Sequence, residues 1–166
     1  MKIQTISKSD FKKIEGSRRV IVNDHPHQFA VLNLGEPLGC YGLSWGSDII
    51  TPVVELSTAQ RTLWIGVDQR LAAINLQDGN IRLAMPLHTN IFQILIVDDL
   101  IAVLTELEVL LFNSDCSIRC FQGLPDLSSE ISVSGSDFVI QLFDGSSLTL
   151  TRRGTFKESA YCKAEP

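Results

Sequence analysis

Leu63-Trp64-Ile65-Gly66-Val67-Asp68-Gln69-Arg70-Leu71-Ala72-Ala73-Ile74-Asn75-Leu76-Gln77-Asp78-Gly79-Asn80-Ile81-Arg82 decides how the whole chain is read. Residues 62–67 and 71–76 are short, dominantly apolar runs, too short for helices of ordinary length. Asp68-Gln69-Arg70 separates them. Gln77-Asp78-Gly79-Asn80 then turns the chain before Ile81-Arg82 opens another strand. Asn, Asp and Gly tolerate the positive φ that tight hairpin connections impose, so these are turns with a mechanism.

The order recurs along the chain. Calling the four strands of a unit a to d, the a strands fall at 50–56, 92–97 and 131–134, and the b strands at 62–67, 100–105 and 138–143. The c strands fall at 71–76, 109–113 and 147–151, and the d strands open with Ile81-Arg82, Ile118-Arg119 and Phe156-Lys157. Ile81 to Ile118 is 37 positions and Ile118 to Phe156 is 38; Ile65 to Val103 is 38 and Val103 to Ile140 is 37. Two strands keeping one period mark a true repeat. A weaker fourth copy precedes these: 29–34 resembles 71–76 at a displacement of 42, with 19–23 as its b strand and 40–45 as its d strand. The polar segment 7–16 is left as a short helix or a loop. The expected fold is all-β, one domain over 1–166 of four-stranded antiparallel meanders. Its degenerate first copy spans 1–47, and the clear copies span 49–87, 91–123 and 130–162; three units with an elaborated N-terminal sheet are the alternative.

A strand wet on one face alternates apolar and polar residues, whereas one covered on both faces is apolar throughout. The copy at 91–123 is of the second kind, so its sheet is expected between two neighbours. In the last copy Leu148 and Leu150 alternate with Thr149 and Thr151, and Ile131 and Val133 with Ser132 and Ser134. That sheet has a small polar face, suited to ending a stack in water or to a wet contact with a second copy. The recurring cation on strand d (Arg82, Arg119, Lys157) reads as an edge protector or as ordinary surface charge.

With these residues in view, 63–82 resembles a repeat of the quinoprotein-type β-propeller superfamily, close in plan to Trp-Asp-repeat blades. The resemblance rests on the apolar-apolar-Gly strand, the following turn, the polar slot at Asn75 and Asn113 (Asn33 in the weak copy), the Gly turn and the outer strand. It covers roughly 49–160 and is specific to the fold. The tryptophan that docks quinoprotein blades is absent, its slot lying near Leu83, Cys120 and Glu158, and the family's quinone chemistry is not carried over. Closed propellers use about four to eight blades, so the resemblance implies a half or small propeller, open or completed by a second chain.

Apolar residues make up 45% of the 166 and charged residues 20%, with a net charge of −5 and a mean hydropathy of +0.16. No apolar run reaches the roughly 18 residues of a membrane helix. The first residues lack a signal peptide's apolar stretch, so a reducing, cytoplasmic setting is expected, with Cys40, Cys116, Cys120 and Cys162 as free thiols. Acidity and scattered Lys and Arg argue against a nucleic-acid partner. No membrane partner, cofactor or metal is expected.

In the expected topology the b–c and d–a connections share one face. Asp24, Asp68, Glu106 and Asp144 stand at or near the start of each b–c turn, with Arg70 beside the second. His25 and His27 lie in the first such loop and His88 in a d–a loop. These eight residues are the expected binding face, acidic and suited to a basic partner or a cation; turn capping is the competing account of the carboxylates. Asp24-His25-Pro26-His27 lacks a complementary pair at metal-ligand spacing, and Cys116 and Cys120 lack the zinc-knuckle gap. Trp45 and Trp64 read as core residues. There is no Gly-x-Ser-x-Gly and no glycine-rich loop opening a helix. The function expected is a non-enzymatic interaction module, binding a protein partner or a second copy of itself. Two alternatives stay open: a small hydrolase or lyase with its site on the loop face, marked by a deep polar pocket near Asp68, His88 and Glu106, and an inhibitor or immunity-type protein that neutralises a basic partner.

Overall fold

The computed structural model describes residues 1–157; Glu158 and Cys162, named above, lie outside the described residues. Among the described residues fifteen strands form four sheets. The second sheet is the meander β5 (Val53–Ser57), β6 (Thr62–Val67), β7 (Arg70–Asn75) and β8 (Ile81–Pro86). The third repeats it with β9 (Ile91–Val97), β10 (Leu100–Thr105), β11 (Glu108–Phe112) and β12 (Ile118–Gly123). The fourth has β13 (Ser128–Ser134), β14 (Asp137–Leu142) and β15 (Ser147–Leu150). Phe156 adds one isolated antiparallel bridge to Leu150, at the position expected for strand d.

The weak N-terminal copy departs from the meander. Its sheet runs β1 (Lys2–Thr5), β3 (Gln28–Asn33), β4 (Cys40–Trp45), β2 (Arg19–Ile21), and β2 pairs with β4 in parallel. The expected b strand therefore lies on the far side of β4 and not beside β3. The vacant place beside β3 is taken by β1, from the extreme N-terminus. Between β1 and β2 runs the short helix α1 (Lys8–Lys13), opened by Ser7, whose hydroxyl accepts the Asp10 amide. Phe11 of α1 is buried, its ring centroid 5.4 Å from that of Phe29.

Three apolar clusters fill the three gaps between successive sheets. Alternation along each strand sends successive side chains to opposite faces. In the second sheet Leu63, Ile65, Ala72 and Ile74 meet Leu32, Tyr41 and Leu43 of the first, while Trp64, Leu71 and Ala73 meet Ile101, Val103, Leu110 and Phe112 of the third. The third sheet turns Leu100, Ala102, Leu104, Val109 and Leu111 towards Ile131, Phe138 and Ile140 of the fourth. Every residue of β6 and β10 is buried. Among the described residues no cluster joins the fourth sheet to the first, so the row of sheets is open.

Both ends of the row are finished. On the first sheet α1 lies over Gly42, where a Cβ would come within 2.9 Å of the Phe11 ring. The fourth sheet turns the cross-strand row Ser132, Val139 and Thr149 away from the third. The inner strands β5, β9 and β13 touch in sequence, and the Gln93 side chain imitates a strand by exchanging hydrogen bonds with both backbone groups of Ile131, at 3.0 and 3.1 Å. The strand-d cations are tied to neighbours: Arg82 donates to Thr62, Arg119 to Asn113 and to the Arg152 carbonyl, and Lys157 pairs with Asp137.

Candidate functional site: the loop end

One end of the row gathers the b–c turns and d–a loops, and a repeated hydrogen-bond scheme sews them together. The carbonyls of Asp68 and Gln69 accept the amides of Ile91 and Leu87, at 2.8 and 2.7 Å. One repeat later the carbonyls of Glu106 and Leu107 accept those of Ser128 and Leu124, both at 2.8 Å. Leu127 accepts from Phe143 at 2.9 Å. Because β2 runs parallel to β4, the loop holding Asp24, His25 and His27 leaves at the same end, where the His27 amide donates to the Trp45 carbonyl.

Charge divides sharply between the two ends. The turns and loops at the loop end (residues 22–27, 46–52, 68–69, 87–90, 106–107, 124–127 and 143–146) hold Asp24, Asp48, Asp68, Glu106, Asp126 and Asp144 and no Lys or Arg; the crossover 6–18, which leaves this end after β1 and passes over the first sheet, carries Lys8, Lys12, Lys13 and Arg18 with Asp10 and Glu15. Connections at the opposite end mix both signs, with Arg61, Arg152 and Arg153 beside Glu36, Asp78, Asp98, Asp99 and Asp115. The acidity of the chain is thus focused where the loops are, which raises the local potential towards cations and cationic partners.

Four of the eight expected residues line one cleft. It has a volume of about 480 Å³, lies where the first and second sheets meet, and is bounded by Asp24, His25, Asp68 and Arg70 together with Gly46, Ile49 and Asn90. Asp68 is its structural keystone. At φ +48° and 8% exposure, its Oδ2 accepts the amides of Gly46 and Ser47 at 2.7 and 3.1 Å. Arg70 approaches the exposed Asp24 carboxylate to 3.8 Å, a contact worth little in water.

The other four do not line that cleft, although Glu106 borders it through Asn90. Glu106 accepts from the Asn90 side-chain amide at 2.9 Å, and His88 Nδ1 lies 2.9 Å from Glu108 Oε1. His27 is exposed beyond the rim. Asp144, on the fourth sheet, accepts from the Ser146 hydroxyl and amide, and both bonds hold its carboxyl below the usual range. Neither His88 nor Glu106 lines the cleft that holds Asp68. Among the described residues no group of three His, Cys, Asp or Glu is placed to hold a metal ion. Cys116 and Cys120 are free thiols whose pKa values burial pushes up.

Several loop-end residues escaped the sequence reading. Phe143, taken as the last residue of a b strand, stands in the turn at 68% exposure. Leu107 and Leu127 are also exposed, as are Val22 and Ile49. The usable signal was their position inside turns, which a strand-centred reading treats as noise. A separate cleft of about 540 Å³ lies between β5 and β9 on the inner side, lined by Glu55, Leu56, Gln93 and Asp98.

No protein-family model and no curated protein matches the chain. Solved structures do. The computationally designed Ika4 protein is similar with a TM-score of 0.57 at 12% identity, over 69% of this chain and 74% of that one. The WD40 domain of Neurospora crassa Pan2 gives 0.53 at 14%, over 64% and 36%. BBS1N, solved in complex with ARL6DN, gives 0.51 at 13%, over 82% and 47%. The chain spans between a third and a half of these last two structures. At such identities the likeness concerns the fold, and with the sheet order it makes this chain a partial β-propeller. Among the described residues no helix is long and apolar enough to cross a membrane.

Proposed function

We propose that the chain is a non-enzymatic protein-binding module whose loop end docks a basic partner. The observation that carries this reading is the composition of that end: six carboxylates and no Lys or Arg in the turns and loops outside the 6–18 crossover, with exposed apolar residues among them. Opposite charge steers encounter and selects partners, while apolar contact supplies most of the affinity. The commitment of Asp68 to the Gly46 and Ser47 amides, and of Glu106 to Asn90, supports the module over the hydrolase or lyase reading. An inhibitor of a basic protein would use the same surface, differing only in its target.

Calorimetric titration of the protein with an Arg/Lys-rich peptide of about twenty residues tests the reading. Binding at low salt that weakens with added salt is expected. The Asp24→Asn/Glu106→Gln/Asp144→Asn variant should bind at least tenfold more weakly. Equal affinity in the variant, or no binding at low salt, would refute the proposal.

Self-association is a second reading, favoured by exposed Leu56, Phe92 and Val133 on the inner strands β5, β9 and β13. The polar flank of the fourth sheet and the helix over the first weigh against ring closure through the flanks. A concentration-dependent dimer in sedimentation at micromolar protein, lost on Phe92→Ser, would support it.

A further inference from the structure

We propose that the turns of the third and fourth sheets form an apolar anchor site, Leu107, Leu127 and Phe143, that receives apolar side chains from the same basic segment; this rests on the loop end being the docking end. These residues are 40%, 44% and 68% exposed. Their backbones are neighbours, because the Phe143 amide donates to the Leu127 carbonyl and the Ser128 amide to the Glu106 carbonyl beside Leu107. None of the three belongs to an inter-sheet core. Exposed apolar side chains grouped on one surface and ringed by polar ones mark interaction sites more often than chance placement does.

The sequence around them identifies the occupant. Each exposed apolar residue of these turns adjoins an acid: Glu106-Leu107, Asp126-Leu127 and Phe143-Asp144, with Asp48-Ile49 repeating the pairing at the lip of the cleft. The carboxylates are fixed, Glu106 by Asn90, Asp126 by the Leu127 amide at 2.7 Å, and Asp144 by Ser146. A surface that alternates acid and apolar group is complementary to a chain that alternates Lys or Arg with an apolar residue. An anionic membrane would be repelled by it. A nucleic acid would be repelled for the same reason.

Selection of a displayed library of random sixteen-residue peptides against the full chain tests this, followed by fluorescence anisotropy of the enriched peptides on variants. Enriched peptides should combine Lys or Arg with Leu, Phe or Trp. Leu127→Ser/Phe143→Ser should weaken them about tenfold or more, as truncated anchors do. Both positions are exposed, and an unchanged thermal transition verifies that the variant folds. Peptides that are basic without apolar residues, and indifferent to Leu127→Ser/Phe143→Ser, would overturn the anchor while leaving the basic-partner reading intact. Peptides without Lys or Arg, or no enrichment, would overturn both. Enriched peptides matching the chain's own Arg-bearing turns, with self-association abolished by the same variant, would make the occupant a second copy and overturn the separate partner.

Discussion

The first and third sheets solve one packing problem by different means. The third is a plain meander of consecutive residues, β9 to β12, with two apolar faces that meet sheets on either side. The first is assembled from separated pieces, takes in a parallel pair, and meets a sheet on one face and α1 on the other. Gly42 and Gly66 express the parallel directly. A Cβ at either would stand 2.9 Å from a covering side chain, Phe11 over Gly42 and Ile91 over Gly66. Regular repeats are therefore needed only where a sheet has neighbours on both sides. A terminal sheet needs to match just one.

If that contrast is right, the interior should be far more sensitive than the end. Phe112, fully buried and with its ring centroid 5.1 Å from that of Trp64, should cost about 3–5 kcal/mol on replacement by Ala, read as a lowered urea midpoint. Phe11→Ala removes one lid at the wet end of the row, where solvent can enter the space left, so it should cost about 2 kcal/mol, the burial contribution without an enclosed cavity. Equal losses would break the comparison.

Gly42→Ala sharpens it, since overpacking against Phe11 should cost about 1–3 kcal/mol. In a Phe11→Ala background the same change should cost clearly less, the remaining close contact being Ile14 at 3.1 Å, and a double-mutant cycle measures that coupling. Tyr41→Phe removes a 2.6 Å bond from the hydroxyl to the Gly79 carbonyl, which ties the first sheet to a turn of the second. A loss of about 1 kcal/mol is expected.

The smallest effect concerns the fourth sheet. Ser146 favours the ionised Asp144, so the folded pKa is depressed. Stability from this contact is present above the unfolded carboxyl pKa and is lost as pH falls through the folded one. Ser146→Ala should raise the Asp144 midpoint in an NMR titration without shifting Asp115, which Ser117 holds low at the opposite end.

How much of this was legible depended on where the information lay. Strands β6, β10 and β12 begin where the spacing placed them, because continuous apolar runs and Gly, Asn and Asp turns are local signals. Trp45 and Trp64 are buried as read. The parallel pairing of β2 and the use of β1 beside β3 were not legible, since both depend on contacts between distant segments. At the loop end, alternation of strand direction predicted which connections lie together, and Asp24, His25, Asp68 and Arg70 line one cleft. It could not tell that Asp68 is committed to the Gly46 and Ser47 amides, or that Phe143 leaves its strand for solvent.

Amide chemical-shift mapping of the isotope-labelled protein with an Arg/Lys-rich peptide would reveal directly whether one end of the row does the binding. The largest changes should fall in 22–27, 46–52, 68–70, 106–108, 124–127 and 143–146, with 76–80, 113–117 and 151–154 unmoved. Changes centred on those opposite turns, or spread evenly over both ends, would contradict it.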